Sequence, residues 1–138
     1  MANKTGKGVL LLLVNSNSQI LLQHRDDDAP AYPGQWGLFG GAVEPGETVR
    51  QAMLREAMEE LRYDAKNAQL AFVCQGFNEA LKRPIERHYF MDHFDTAQML
   101  ELNEGQAMEW FTFAEMQTLD LAPMITAEAD RIQAILAG

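Results

Sequence analysis

The segment from Gly41 to Tyr63 constrains this chain more than any other, because a glycine turn there leads directly into a strongly acidic helix. It reads GAVEPGETVRQAMLREAMEELRY. A Pro-Gly turn covers residues 43–47, and Glu47 or Thr48 can cap the helix that follows, since carboxylates and hydroxyls accept hydrogen bonds from free backbone N–H groups. We therefore predict one helix from Thr48 to Leu61.

Three glutamates fall on one face of this predicted helix. Glu56, Glu59 and Glu60 occupy positions i, i+3 and i+4, the spacings that bring helical side chains together. Carboxylates this close repel one another, whereas Mg²⁺ and Mn²⁺ prefer hard oxygen ligands and remove the repulsion. A solvated charged face is the usual alternative for a run such as REAMEE, but the preceding glycines and the fixed spacing favour a metal site.

Length and charge limit the classes of function. The 138 residues fit a single domain, 1–138, with one hydrophobic core. The net charge of −9 argues against a nucleic-acid polymer as partner, because such binding depends on neutralising phosphates. A small phosphate-bearing substrate is still compatible with this charge, since a bound divalent cation can invert the local field.

Nothing in the sequence predicts a membrane partner. The longest apolar run, Val9 to Val14, is too short to span a bilayer, and the N-terminal MANKTGKG lacks the apolar stretch of a signal peptide. We therefore expect a cytoplasmic protein.

Apolar runs on both sides of the acidic helix predict an α/β fold. Strands are predicted at 8–15, 19–24, 36–39, 70–77, 88–94 and 108–111, with a polar connection over 78–87. Thr112 and Glu115 form a capping box before a brief helix over 113–119, and a further helix covers 127–136. Because strands outnumber helices, we expect a mixed sheet flanked by helices.

The acidic segment matches the pattern G-x5-E-x7-R-E-x-x-E-E, starting at Gly41. At about 7% usage per residue type, such a match arises by chance on the order of once in ten million starts. The segment resembles the Nudix box, and the runs WGLFGG and EWFTFAEM also resemble the Nudix hydrolases. This resemblance implies an α/β/α sandwich around a mixed β-sheet. The implied reaction is metal-dependent hydrolysis of a diphosphate (pyrophosphate) linkage in a nucleoside diphosphate derivative.

The resemblance also assigns the metal ligands, for Mg²⁺ or Mn²⁺. Glu56, Glu59 and Glu60 match the metal-binding glutamates of the family, and the backbone carbonyl of Gly40 matches an additional oxygen ligand. Arg55 matches the arginine that holds a glutamate by a salt bridge, and Glu59 is within its reach four residues later. We expect Arg55 to orient the catalytic groups.

The general base is not decided by the sequence. Glu59, Glu60 or an acid from a loop could accept the proton of the attacking water. Glu104, in LNEGQAMEW, resembles the loop glutamate that joins the metal site or acts as the base in this family. A surface acid in a turn is the alternative for Glu104, and Glu109 is a weaker competitor because it falls in a predicted strand.

Arg25, Gly41 and Glu47 are predicted on the substrate side of the site. Gly41 allows a phosphate to approach the backbone closely. Glu47 matches the first glutamate of the box, whose role varies between members. Arg25 follows the second strand and could contact a substrate phosphate, while a salt bridge to Glu44 or to the acids at 26–28 is equally compatible with the sequence.

Two positions depart from the Nudix box. Arg62 stands where the family usually has glycine, and Tyr63 where it has an aliphatic residue. Glycine is favoured there because it accepts left-handed backbone angles, so arginine is expected to cost about 1 kcal/mol or to change the helix end. Neither change removes a metal ligand.

A noncatalytic Nudix-like domain that binds a nucleotide and regulates another process is the alternative function. The intact Glu56, Glu59 and Glu60 favour the enzyme. We expect Glu60 to be exposed, so that Glu60→Gln abolishes turnover while the melting temperature hardly changes. The expected partner is a small-molecule nucleotide substrate, and the resemblance also allows a homodimer.

Overall fold

A computed structural model describes residues 6–79 and 81–138. Within these ranges the chain forms seven strands and four helices. The strands are β1 (Gly6–Val14), β2 (Ile20–His24), β3 (Trp36–Gly37), β4 (Phe39–Ala42), β5 (Gln69–Asn78), β6 (Arg83–His93) and β7 (Ala107–Phe111). The helices are α1 (Val49–Leu61), α2 (Phe113–Met116), α3 (Pro123–Thr126) and α4 (Ala129–Ala137).

One mixed sheet organises these elements. Its strand order is β3-β2-β1-β6-β5, β4 also pairs with β1, and β7 also pairs with β2. β1 and β6 are parallel, whereas the other pairs are antiparallel. The predicted α/β fold with a mixed sheet is therefore confirmed.

β1 is buried on both faces, which explains its uninterrupted apolar sequence. Leu10, Leu12 and Val14 point into a core that includes Met116, Ile125 and Ile132 of the small helices. The alternate residues Val9, Leu11 and Leu13 pack with Ala52, Met53, Ala57 and Leu61 of α1. The sheet thus lies between α1 and the small helices, as an α/β/α sandwich requires.

The acidic helix ends at Leu61 as predicted and starts at Val49, one residue later than predicted, because Thr48 is its N-cap. Thr48 accepts a hydrogen bond from the backbone N–H of Gln51 at 3.1 Å, and the Gln51 side chain accepts one from the Thr48 N–H at 2.9 Å. At the other end Arg62 is left-handed, with φ 56° and ψ 33°. The arginine therefore adopts the conformation for which the family favours glycine.

Two predicted elements differ from the structure. The predicted strand at 36–39 is two strands, because β3 pairs with β2, Leu38 crosses over, and β4 then pairs with β1. β6 begins at Arg83 rather than at His88, so the predicted polar connection over 78–87 was too long. Residues 83–87 read RPIER, and their polar side chains concealed strand pairing that continues to Asn78 and Arg83.

The short helices also differ in detail. α2 ends at Met116 rather than Leu119, and α4 starts at Ala129. Helix α3 was not predicted, because four residues are too few to show helical periodicity, although Pro123 at its first position favours a helix start. None of the helices in the two described ranges is long and apolar enough to cross a bilayer.

Candidate active site

The glycine strand β4 lies directly against α1. Gly40 has a φ of 154°, and a Cβ atom there would overlap the carbonyl oxygen of Val9 on β1. A Cβ atom on Gly41 would overlap the carboxylate of Glu56. The two glycines therefore allow β4 to approach both β1 and the acidic face of α1.

Glu60 is buried, with an exposed fraction of 5%, which corrects the expectation that it is exposed. Its Oε1 accepts a hydrogen bond from the backbone N–H of Gly40 at 2.8 Å. Burial, followed by the hydrogen bond and charge of the Glu104 carboxyl, raises the pKa of Glu60 to about 11. The sequence placed Glu60 on the correct helix face but could not show that β4 covers it.

Glu56 lies beside Glu60 and is also partly withdrawn from water. Burial raises the pKa of Glu56 to about 7, and the charges of Glu59 and Glu104 act in the same direction, against the lowering effect of Arg55. Glu59 is exposed. The three glutamates therefore share one side of α1, as predicted, in three different environments.

Arg55 connects these glutamates to the preceding turn. It donates from Nη1 to Glu59 at 3.0 Å and to Glu56 at 3.1 Å, which confirms the predicted contact with Glu59. Its closest partner is Glu47, reached from Nε at 2.7 Å and from Nη2 at 3.0 Å. This bidentate pair lowers the pKa of Glu47 to about 2 and raises the pKa of Arg55 above its ordinary value. Arg55 also donates to the carbonyl of Ala42 at 3.1 Å, so it fixes α1 to β4.

Glu104 reaches this group because the preceding loop is attached to the end of α1. The backbone N–H groups of Glu101 and Asn103 donate to the carbonyls of Leu61 and Glu60, each at 2.9 Å. Glu104 contributes, after burial, to the raised pKa of Glu60. Glu109 lies on a strand, β7, as predicted, and its side chain is exposed.

Arg25 and Glu104 line one cavity of about 380 Å³ together with Gly40 and Gly41. The Nε of Arg25 donates to the carbonyl of Ala31 at 2.9 Å. In the described ranges Arg25 has no salt bridge to Glu44 or to the acids at 26–28, so that alternative is not observed. The guanidinium is instead held at the wall of the cavity by a backbone contact.

The carboxylate and carbonyl oxygens at this site suit a divalent cation, although their present arrangement is not a complete coordination site. In the two described ranges, no group of three or more His, Cys, Asp or Glu side chains is arranged to hold a metal ion. The nearest groups are all carboxylate or carbonyl oxygens, which suit Mg²⁺ and Mn²⁺. Burial first, and then the charge of neighbouring glutamates, raises the pKa values of Glu56 and Glu60, and a cation would favour their ionised forms.

Several residues near the site carried no motif in the sequence. Gln23 is 2% exposed and donates to the Leu38 carbonyl at 3.2 Å, while its Oε1 has no hydrogen-bond partner among the described residues. Tyr32, Asn78 and Arg87 line the same cavity as Arg25. Tyr32 lies in a loop, and Asn78 and Arg87 lie on the paired strands β5 and β6. Their proximity depends on strand register, so it was not visible as sequence spacing.

A protein family and several known proteins match this chain. The NUDIX domain family matches residues 4–132. The nucleoside triphosphatase NudI of Escherichia coli is 47% identical over 49 residues, which are 36% of this chain and 35% of that protein. The chain thus matches only about a third of the length of these curated relatives.

Solved structures are similar over almost the whole chain. The MutT protein of Methanosarcina mazei Go1 has a TM-score of 0.81 at 19% identity, over 98% of this chain and 97% of that chain. The E. coli ORF135 protein has a TM-score of 0.73 at 30% identity, over 99% of this chain and 91% of that chain. Together with the family match, these similarities show that the chain belongs to the Nudix hydrolase family.

Proposed function

We propose that this protein hydrolyses a diphosphate linkage in a nucleotide derivative, in a reaction that depends on Mg²⁺ or Mn²⁺. The observation that supports the proposal is the position of two glycines that line a 380 Å³ cavity with Glu104, because Gly40 is hydrogen-bonded to Glu60 and Gly41 lies directly against Glu56. A phosphoanhydride needs neutralisation of its oxygens before a nucleophile can approach, and acidic side chains supply that only by holding cations.

Glu56, Glu59, Glu60 and the carbonyl of Gly40 would hold the metal. When bound, the cation would withdraw charge from the phosphate oxygens and acidify a water molecule. Buried Glu60 and half-buried Glu56 both lie on α1, and Glu60 is also held by the Gly40 N–H of β4, so their oxygens are fixed in position. Glu59, which is exposed, has more freedom to turn from Arg55 towards a ligand.

Glu104 is our candidate for the general base. It is exposed, contacts Glu60, and lines the cavity in which the diphosphate would lie. Glu59 and Glu60 are the other candidates for accepting the proton of the attacking water. Of these two, Glu60 is the weaker candidate for the general base, because its buried carboxyl already accepts a hydrogen bond from the Gly40 N–H.

Arg55 is a positioning residue in this proposal. Its bonds to Glu47, Glu56 and Glu59 fix the carboxylates relative to the Ala42 carbonyl of β4. Arg25 would contact a substrate phosphate from the cavity wall. Gly41 leaves the backbone accessible to the same phosphate, and Glu47 acts by holding Arg55.

The proposed substrate is a small nucleotide. Similarity to a protein named a nucleoside triphosphatase supports nucleoside triphosphates as the first class to test, followed by nucleotide sugars and dinucleoside polyphosphates. We also propose that residues 1–138 act as one domain, because the core on each face of the sheet includes residues of β1.

The test is a nucleotide panel assayed for phosphate or nucleoside monophosphate release with Mg²⁺ or Mn²⁺. We expect Glu104→Gln to reduce kcat by about 10²- to 10⁴-fold if it is the base. Glu109→Gln is the matched control, because Glu109 is an exposed glutamate on β7. Absence of turnover on every substrate would refute the hydrolase, and an equal loss in both variants would refute the role of Glu104.

Metal binding is tested separately from turnover. Calorimetric titration with Mn²⁺ should show binding to the native protein and much weaker binding to Glu56→Gln and Glu60→Gln. Unchanged Mn²⁺ affinity in both variants would remove them from the metal site.

A further inference from the structure

Two cavities meet on the face of the sheet opposite α1. The 380 Å³ cavity contains Gly40, Gly41 and Glu104, and a neighbouring cavity of about 620 Å³ extends over β5. The two share four lining residues, which are Pro30, Ala31, Tyr32 and Arg87. A substrate held by its diphosphate at the glycines would extend towards this shared boundary.

Strand register gives the position of Arg87 relative to the glycines. Gly8 on β1 pairs with Ala42 on one side and with Arg87 on the other. Two strand spacings therefore separate the backbone of Arg87 from β4, or about 10 Å. That separation suits a ribose and a base attached to a diphosphate at β4.

The guanidinium of Arg87 is fixed against β5. Its Nη2 donates to the carbonyl of Phe77 at 3.1 Å. It lies over Gly76, where a Cβ atom would overlap Nη1. Glycine at this position therefore provides the space that the guanidinium occupies.

Arg87 has donors left for a ligand. Glu79 and Glu128 line the same cavity, but in the described ranges no carboxylate oxygen lies within 4.0 Å of the Arg87 side-chain nitrogens. Within residues 6–79 and 81–138, the one side-chain hydrogen bond of Arg87, to Phe77, uses one of its five N–H donors. A half-buried, unneutralised arginine in a protein of net charge −9 is therefore oriented towards a cavity with most of its hydrogen-bonding capacity unused.

We propose that Arg87 determines base specificity by donating two parallel hydrogen bonds to a base edge with two adjacent acceptors. Such an edge occurs on guanine, at O6 and N7, and on cytosine, at O2 and N3. Adenine presents a donor beside N7, and uracil presents a donor at N3 between its two oxygens, so neither base offers two adjacent acceptors to the guanidinium. This inference rests on the proposed function to the extent that the substrate is a nucleotide.

The test measures binding of the four nucleoside monophosphates by calorimetry in magnesium-free buffer. GMP is compared with AMP and CMP with UMP, because each pair has the same ring size and phosphate charge. We expect GMP and CMP to bind about tenfold or more tightly than their counterparts. Arg87→Lys, which keeps the charge but loses the planar fork, should reduce both ratios to near one.

Gly76→Ala provides a second, independent perturbation. The new Cβ atom would displace the guanidinium without changing any charge, so the same loss of preference is expected. Arg83→Gln is the matched control, since Arg83 is an exposed arginine on the same strand. It should leave both ratios unchanged.

Three results would overturn the proposal. The first is the absence of any binding preference within the two pairs, and the second is retention of the preference in Arg87→Lys. The third is an equal weakening of all four ligands in Arg87→Lys, which would make Arg87 a contact for the phosphate. Because binding is measured without turnover, failure of the hydrolase proposal is distinguishable from failure of this one. Base-dependent binding to an inactive protein would refute only the hydrolase.

Discussion

Replacing Glu60 by glutamine should stabilise the metal-free protein while removing its activity. Glu60 is 5% exposed, and its pKa is raised from 4.5 to about 11, first by burial and then by Glu104. At pH 7.5 the unfolded chain carries an ionised glutamate, whereas the folded chain holds a proton on Glu60. The stability that the neutral carboxyl contributes is fully present below pH 4.5 and is lost as the pH rises towards 11.

The magnitude follows from this linkage. At pH 7.5, three pH units above the ordinary pKa of 4.5, the free energy of unfolding is lower by about 4 kcal/mol than below pH 4.5, at about 1.36 kcal/mol per unit. Glutamine has no proton to gain, and its amide oxygen can still accept the hydrogen bond from the Gly40 N–H. Glu60→Gln should therefore raise the free energy of unfolding at pH 7.5 by up to about 4 kcal/mol.

Urea denaturation in EDTA at pH 5.0 and pH 7.5 measures the effect. The gain should be large at pH 7.5 and fall below about 1 kcal/mol at pH 5.0, half a unit above the ordinary pKa of 4.5. Glu109→Gln, at an exposed position, should change the stability little at either pH. With saturating Mn²⁺ the native protein should gain stability and the variant should gain much less. A variant that is less stable than the native protein at pH 7.5, or a gain independent of pH, would refute the reasoning.

Three further predictions concern the turn and the two ends of the acidic segment. Glu47→Gln should lower kcat without unfolding the protein, because it removes the charged partner of Arg55. Since the pKa of Glu47 is lowered from 4.5 to about 2, the stability from this ion pair is fully present above pH 4.5 and is lost as the pH falls through 2. Circular dichroism and activity at low pH can follow this loss. Arg62→Gly should stabilise the protein by about 1 kcal/mol in urea denaturation, since glycine adopts φ 56° without strain, and a loss of stability would contradict this. Gly41→Ala should retain the fold but weaken Mn²⁺ binding, because the new Cβ atom displaces the Glu56 carboxylate, and unchanged affinity would argue against Glu56 as a ligand.

Local sequence signals predicted the acidic helix and its ends well. The spacing of Glu56, Glu59 and Glu60 gave their common face, and the reach of Arg55 to Glu59 follows from helical geometry alone. Arg62 was visible as a departure from a position that favours glycine, and the structure decides between the two expected outcomes, because the arginine is left-handed. These features depend on residues within one or two helical turns.

Features that depend on strand register could not be predicted in the same way. The burial of Glu60 requires β4 to lie over α1, and the contact of Glu60 with Glu104 joins residues far apart in the sequence through backbone bonds of an irregular loop. The position of Arg87 over Gly76 depends on the β5–β6 pairing, in which polar residues concealed the start of β6. No short motif records such pairings.

β1 pairs with β4 on one edge and with β6 on the other, so the proposed cleavage site and the proposed base site lie on opposite sides of one strand. The proposed cleavage residues lie on the helix, on the glycine strand and on the loops that carry Arg25 and Glu104, whereas the choice of base would depend on the β5–β6 hairpin. Substitutions in the hairpin could then redirect the enzyme to new substrates during evolution while the machinery for cutting phosphoanhydrides is inherited unchanged.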